Sequence, residues 1–199
     1  MDEEINLSQL VCTRISHDLG GNIGALANAM EMMQDDDDDQ EDTKRLLGDI
    51  SYTLNARLKF FRLAFGLTND NLANRELVLQ TCRGYAGTLN RNHPFELVIT
   101  PIENEKDLNR ALILAFMAAA DLLAKDGIIK VGVKDKMIRA EISGKCVLSQ
   151  STLADVRGIL AGTLPESNLA RYAPLFCLKN MGAKLALEDN GEGVTLLIG

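Results

Sequence analysis

The segment that decides the fold of the first part of the chain is residues 12–33, which read CTRISHDLGGNIGALANAMEMM. Its apolar residues recur at steps of three and four, which is the spacing of one face of an α-helix. The residues on this face are Cys12, Ile15, Leu19, Ile23, Leu26, Met30 and Met33. The pattern predicts one long helix over residues 5–34 with an apolar stripe along its length.

A second stripe of the same period begins near Glu41, after a run of five aspartates at residues 35–39. Such an acidic run repels itself and stays solvated, which predicts a loop. Gly66 can end the second helix. Two long helices joined by a short polar loop predict an antiparallel helical hairpin. The second stripe consists of Leu47, Ile50, Leu54, Leu58, Phe61 and Phe65.

The second helix also carries apolar residues off this stripe, namely Tyr52, Ala56, Phe60 and Leu63. A single hairpin of this length would leave much of its apolar surface in water. Two hairpins packed as a four-helix bundle would bury both sets of residues. We therefore predict a homodimer formed through residues 1–66.

The pattern changes after about Asn69, where helical and strand-like segments mix. Helices are predicted over residues 72–89, 108–124, 149–160 and 165–181, and strands over 95–100, 127–134, 137–143, 184–188 and 194–198. Asp135-Lys136 and Asn190-Gly191 are predicted hairpin turns. Helices with mostly antiparallel strands predict an α+β sandwich. We divide the chain into domains at residues 1–68 and 69–199.

Composition excludes several functional classes. The chain has 199 residues, with 21 Lys and Arg against 28 Asp and Glu, a net charge of -7. Such an acidic protein binds nucleic acid and anionic membranes poorly. It has no apolar run of about 18 residues, and its acidic start does not resemble a signal peptide. A cytoplasmic protein with reduced, buried thiols is predicted, because no two of the four cysteines form a Cys-x-x-Cys pair: Cys12, Cys82, Cys146 and Cys177.

The small number of histidines and the absence of certain motifs exclude further kinds of catalytic and binding site. Only His17 and His93 are present, so a histidine-rich metal site is ruled out, and a Gly-x-Ser-x-Gly elbow and a phosphate-binding loop are absent. The aspartate run could suggest calcium, but a calcium loop beginning at Asp35 would need Gly and Glu where Gln40 and Leu46 stand. No bound metal or cofactor is therefore predicted.

His17 is the most informative residue because it lies nearly opposite the apolar stripe of its helix. It should project into solvent. Three glycines in one helix cost about 0.5–1 kcal/mol each relative to alanine, which predicts a surface that another protein approaches closely. The residues on this face are Leu10, Thr13, Arg14, Gly20, Gly21, Gly24 and Asn28.

The imidazole side chain suits phosphoryl transfer. Its ordinary pKa is about 6.5, so it is largely neutral and nucleophilic at cytosolic pH. A neutral ring nitrogen can accept a phosphoryl group from an aspartyl phosphate, a reaction that depends mainly on positioning and charge neutralisation. Asp18 follows His17 directly and could orient its ring, although neighbouring helical residues point in different directions.

Residues 14–25, RISHDLGGNIGA, resemble the phospho-acceptor segment of two-component histidine kinases, and most closely that of the ChpT-type histidine phosphotransferases. Residues 56–66, ARLKFFRLAFG, resemble the end of that family's second helix. The resemblance implies a dimeric four-helix bundle joined to a degenerate kinase-like ATP-binding domain. It also implies that a phosphoryl group passes from the receiver domain of a hybrid histidine kinase, through the histidine, to receiver domains of response regulators.

Carried onto this sequence, the resemblance makes His17 the phospho-acceptor and Asp18 the acidic residue beside it. The partner receiver domain is expected to supply Mg²⁺. Four basic residues of the two helices should attract acidic receivers: Arg14, Arg57, Lys59 and Arg62. The residues implied to lie near a docked receiver are Arg14, Gly21, Asn22, Gly24, Phe60 and Arg62.

The sequence departs from a functional kinase at several positions. Asn22 stands where histidine kinases usually carry a proline. The helix at residues 111–121 has no asparagine, residues 143–146 lack an Asp-x-Gly-x-Gly pattern, and residues 170–178 have no glycine. These features predict that the chain neither binds ATP nor phosphorylates itself. An atypical ATP-dependent autokinase and a non-catalytic adaptor for receivers remain as alternatives.

Overall fold

The computed structural model describes residues 6–33, 40–67, 70–89, 95–144, 147–189, 191 and 193–199. The predicted α+β class is confirmed. The helices are α1 (Leu7–Met32), α2 (Gln40–Phe65), α3 (Arg75–Leu89), α4 (Lys106–Leu122), α5 (Gln150–Ala161) and α6 (Ala173–Asn180), with 3₁₀ turns at Asp70–Ala73 and Leu169–Tyr172. The strands are β1 (Glu96–Ile99), β2 (Leu123–Lys125), β3 (Ile128–Lys134), β4 (Met137–Ser143), β5 (Val147–Leu148), β6 (Leu185–Asp189) and β7 (Val194–Ile198).

The predicted helical hairpin is present, because α1 and α2, each of 26 residues, pack against each other. The Asn6 side chain caps α1 by accepting a hydrogen bond from the backbone N–H of Gln9, at 3.1 Å. At Gly66, after the end of α2, an added Cβ would collide with the carbonyl oxygen of Arg62. The aspartate run predicted to form the loop lies outside the described residues.

Helix α1 buries a face rotated from the predicted one, although Ile15 and Leu19 of the predicted stripe pack against the core. Leu10 and Arg14, which were expected on the solvent face, are each only 7% exposed. Ile23 and Met30 belong to the predicted stripe, yet each is 55% exposed. The reason is that the stripe was identified from apolar side chains alone, whereas the 3₁₀ turn at Leu169–Tyr172 and α6 pack against the side of α1 that carries Arg14.

The C-terminal part of α2 belongs to the core of the second half. The Phe60 ring is fully buried and stacks on Tyr85 with ring centroids 3.8 Å apart, and it meets Phe116 of α4 edge to face at 5.9 Å. Leu63 is also buried. Phe60 and Leu63, which were predicted to need a second hairpin, are therefore buried within their own chain.

The main sheet has five strands in the order β1-β3-β4-β7-β6. Among the strands that the structure describes in this sheet, only β1 and β3 pair in parallel, and the other neighbours are antiparallel, in line with the predicted mostly antiparallel strands. Asp135 and Lys136 both have positive φ, 54° and 64°, which a two-residue turn between β3 and β4 requires. Of the second predicted turn, Asn190 lies outside the described residues.

The structure also contains two short strands that were not predicted. Strands β2 and β5 form a separate antiparallel pair, with Leu123 opposite Leu148. These strands have three and two residues, too few to show the alternation of apolar and polar residues that identifies a strand. The helix predicted over residues 108–124 extended into β2. Helix α4 ends two residues earlier than predicted, at Leu122, and packs on β3, β4 and β7.

Two general expectations concern the whole chain. Among the described residues, no helix combines the length and the apolar content needed to cross a membrane. Cys82 is a buried free thiol, but Cys12 is exposed, contrary to the expectation of buried thiols, and Cys146 lies outside the described residues. The predicted domain boundary falls at residues 68 and 69, which are also outside them, and so stays a prediction.

We expect Phe60→Ala to lower the free energy of unfolding by about 3–5 kcal/mol, because it removes an aromatic side chain from the centre of the core. Denaturant unfolding followed by circular dichroism measures this change. Lys59→Ala is the matched control on the adjacent, exposed position, where a change within about 0.5 kcal/mol is expected. Equal effects of the two substitutions would contradict the placement of Phe60.

Candidate functional site

His17 lies in the middle of α1 with its side chain 85% exposed. This exposure agrees with the expectation that the ring projects into solvent. Its Nδ1 atom is 3.4 Å from Oδ1 of Asp18, a long hydrogen bond between neighbouring residues of the helix. The ring therefore has one nitrogen beside a carboxylate and the other available to solvent.

Arg14 lies one helical turn from Asp18 and joins it to the second half of the chain. Its Nε donates to Oδ2 of Asp18 at 2.7 Å. Its Nη1 and Nη2 donate to the two carboxylate oxygens of Asp121 on α4, at 2.8 and 3.0 Å. Nη1 also donates to the carbonyl oxygen of Arg171 at 2.8 Å. Arg14 is thus a buried link, which corrects its assignment to a receiver-facing surface.

Burial and the neighbouring charges shift the pKa values of Arg14 and Asp121 in opposite directions. Burial lowers the pKa of Arg14, but attraction by Asp121, hydrogen bonds to it and attraction by Asp18 together raise that pKa above its ordinary value. Burial raises the pKa of Asp121, and Arg14 acts in the opposite direction by stabilising the carboxylate. Arg14 therefore stays protonated, and the ionised form of Asp121 depends on Arg14.

The backbone around Asp18 is held by two further side chains. Arg57 of α2 donates from Nη1 to the Asp18 carbonyl oxygen at 2.5 Å and from Nε to Oγ1 of Thr88 at 3.3 Å. Asn22 donates from Nδ2 to the same carbonyl oxygen at 3.3 Å. The Asn22 amide, implied to lie near a receiver, is half-buried and bonded to its own helix.

The remaining residues implied to bind a partner fall into two groups. Gly21 and Gly24 are exposed on α1, and no atom outside their immediate helical surroundings lies within 4 Å of a Cβ added to either. Arg62 is exposed on α2. Phe60 is fully buried, so its assignment to a receiver-binding surface is wrong: the helical position that would face a receiver faces α4 instead.

An open groove of about 900 Å³ lies between α1 and the segment before α6. His17, Arg14 and Asp18 line one side, and Asp121 and Arg171 line the other. Sequence analysis missed Asp121 and Arg171. The available signal was the carboxylate that directly follows the apolar run at residues 111–120 of α4, because a charge in a buried segment needs a partner.

The space between α4 and the start of α6 is nearly filled by side chains. Its volume is only about 10 Å³, close to the minimum for one water molecule. Tyr172 is 3% exposed there, and Arg171 donates from Nη2 to the backbone oxygen of Asp121 at 2.8 Å. Within the described ranges, no group of three or more His, Cys, Asp or Glu side chains could hold a metal ion.

Comparison with known proteins supports the predicted resemblance. The chain is 37% identical over 62 residues to the protein phosphotransferase ChpT of Brucella abortus (strain 2308). The predicted resemblance to the ChpT-type phosphotransferases is confirmed. The match covers 31% of this chain and 29% of that protein, and no family model matches the sequence.

Solved structures show the fold. A structure described as a bacterial phosphotransferase superposes with a TM-score of 0.75 at 19% identity, covering 100% of this chain and 98% of the other. The histidine kinase domain of the blue-light activated kinase from Erythrobacter litoralis EL346 gives a TM-score of 0.44 at 13% identity, covering 94% and 91%. The fold shared with that bacterial phosphotransferase extends over the full length, beyond the segment of sequence identity with ChpT.

His17→Ala should leave the free energy of unfolding within about 0.5 kcal/mol of the wild type, because the ring is exposed and makes one long contact. Denaturant unfolding measures this directly. Asp121→Ala serves as the contrasting variant, since it leaves the buried Arg14 without its bidentate partner and should cost about 3–5 kcal/mol. A large loss of stability in His17→Ala would mean that the ring packs within the fold.

Proposed function

We propose that this chain is a histidine phosphotransferase of two-component signalling, which carries a phosphoryl group on His17 between receiver-domain aspartates. The single observation that carries the proposal is an imidazole 85% exposed beside a carboxylate on a helix face with little side-chain bulk. The likeness to ChpT supports the coarser assignment as a phosphotransferase. The donor receiver would belong to a hybrid histidine kinase and the acceptors to response regulators.

The geometry favours Nε2 of His17 as the nucleophile. Nδ1 faces the Asp18 carboxylate, so the tautomer that carries its proton on Nδ1 has a hydrogen-bond acceptor there. The lone pair of Nε2 attacks phosphorus in the aspartyl phosphate, an N–P bond forms, and the aspartate carboxylate leaves with the electrons of the broken P–O bond. Asp18 stabilises the positive charge that the ring acquires.

The glycines of α1 support close approach by a receiver. Gly20, Gly21 and Gly24 each lower helix stability relative to alanine, and nothing within this chain occupies the space that their side chains would fill. Contact with a partner surface packed against the bare helix would offset this loss of helix stability. The receiver would bring its own Mg²⁺ and acceptor aspartate to His17, and the exposed Lys59 and Arg62 would attract its acidic site.

The proposal includes a homodimer through the hairpin. Ile23 and Met30 on α1, and Leu46 and Tyr52 on α2, are between 45% and 59% exposed although they are apolar or aromatic. Burying them between two hairpins in a four-helix bundle would remove this surface from water. This surface differs from the predicted one because Phe60 and Leu63 no longer contribute to it.

Two further parts of the proposal concern ATP and location. The departures from the kinase pattern at residues 111–121, 143–146 and 170–178 support a domain that does not bind ATP, which would make the chain a relay protein without autokinase activity. No cofactor is therefore assigned to this chain. The scattered cysteines of the sequence support a cytoplasmic location for the relay.

The transfer experiment uses receiver domains encoded in the same genome, labelled with radioactive phosphate on aspartate. We expect label to move to the wild-type chain and to the His93→Ala control, and none to reach His17→Ala, because the ring nitrogen is the acceptor. Gel autoradiography under alkaline conditions measures this transfer. Equal labelling of wild type and His17→Ala would overturn the proposal.

The same assay separates the alternatives. Label reaching His17 from labelled ATP alone, with micromolar binding of a fluorescent ATP analogue, would select the autokinase. Tight receiver binding without label on His17 under any condition would select the adaptor.

Met30→Asp should shift the chain from dimer to monomer in sedimentation velocity runs, because a charge at the hairpin interface would be buried without a partner. Val98→Asp is the matched control, since Val98 is also an exposed apolar residue, at 42%, but lies on β1 outside the hairpin. A wild-type chain that sediments as a monomer at micromolar concentration would contradict the dimer.

A further inference from the structure

The two edges of one guanidinium hold two carboxylates in different parts of the chain. Nε of Arg14 bonds to one oxygen of Asp18, and the two terminal nitrogens bond to both oxygens of Asp121. The guanidinium is planar and rigid, so it transmits the position of one carboxylate to the other. The Asp18 and Asp121 side chains are only 16% and 18% exposed, which limits competition from water.

The way in which Asp18 binds Arg14 determines what it can offer His17. Asp18 uses Oδ2 for Arg14 and directs Oδ1 towards Nδ1 of His17. Without Asp121, Nη1 of Arg14 would still donate to the Arg171 carbonyl oxygen, but Nη2 would be available to Asp18. Nε and Nη2 could then form the bidentate pair that an arginine and a carboxylate favour. Such a pair would turn Oδ1 away from the imidazole. Asp121 thus keeps Asp18 monodentate.

We propose that Asp121 is a positioning residue for His17, which acts through Arg14 and Asp18 to hold the imidazole with Nδ1 protonated and Nε2 free. The proposal rests on the function proposed above and gives the second half of the chain a role in it. Asp121 does not contact the ring. A buried ion pair is by itself weak support for stability, so the test must measure the ring and not only the fold.

The first measurement is the tautomer of the His17 ring, read from long-range ¹⁵N–¹H correlation spectra of the full-length chain. The wild type should be mainly protonated on Nδ1. Asp121→Asn should shift the ring towards the Nε2-protonated form, whereas the matched control Asp107→Asn, an exposed position on the same helix, should leave the spectrum unchanged. The signals are assigned with His17→Ala, which removes them and leaves those of His93.

The second measurement is the rate at which phosphoramidate, a small phosphoryl donor, phosphorylates His17. The P–N bond of the donor breaks, ammonia leaves, and the N–P bond to the ring forms, so no receiver is needed. Asp121→Asn should lower this rate on the order of 10-fold, because a misplaced nucleophile reacts slowly. Transfer from a phosphorylated receiver should fall by a similar factor, with receiver affinity unchanged within about 2-fold.

Arg14→Lys provides a second variant, because it keeps the buried positive charge but lacks the fork that joins the two carboxylates. It should reproduce both effects of Asp121→Asn. Circular dichroism and denaturant unfolding identify any variant that fails to fold, and the measurements then rest on the folded one.

The outcomes separate this inference from the proposed function. Wild-type tautomer and rate in folded Asp121→Asn, with a wild-type chain that relays phosphate, would overturn the positioning role alone. A wild-type chain that accepts no phosphate from any receiver would overturn the proposed function, whatever the tautomer shift shows. A lower rate with an unchanged tautomer would also overturn the positioning role, since the loss would then arise elsewhere.

Discussion

The Arg14 guanidinium is the constraint on which the arrangement of the molecule depends. A buried cation is costly unless its donors are paired, and here the partners come from α1 itself, from α4 and from the backbone of Arg171. This requirement fixes the side of α1 that turns towards the second half. Once that side is fixed, the helical repeat places His17 outside, at the edge of the groove.

The helical hairpin consequently has two distinct surfaces. The end of α2 completes the aromatic core of the second half, where Phe60 lies between Tyr85 and Phe116. Farther along, Ile23 and Met30 leave an apolar surface exposed. The second half therefore holds the helices of the hairpin in place, through its aromatic core and through Asp121.

The chemistry of the proposed relay is divided between two proteins. In the proposed relay, this chain would offer the exposed imidazole of His17, a carboxylate beside it and a helix surface bare enough for close approach. Phosphoryl transfer needs in-line positioning and neutralisation of charge on the phosphoryl oxygens. Much of the neutralisation would come from the partner. The task of this chain in the proposed relay would then be to hold one ring in one orientation, which a network of rigid ion pairs suits.

The sequence by itself determined the features that depend on near neighbours in the chain. The hairpin, the turn at Asp135-Lys136 and the outward direction of His17 follow from periodicity and local backbone preference. Only the tertiary structure decided that Phe60 is buried, that the short β2 and β5 pair, and that Arg14 meets Asp121, 107 positions away. Periodicity separates apolar from polar faces, but it cannot identify which distant segment packs on a face, and a buried charge carries no periodic signal.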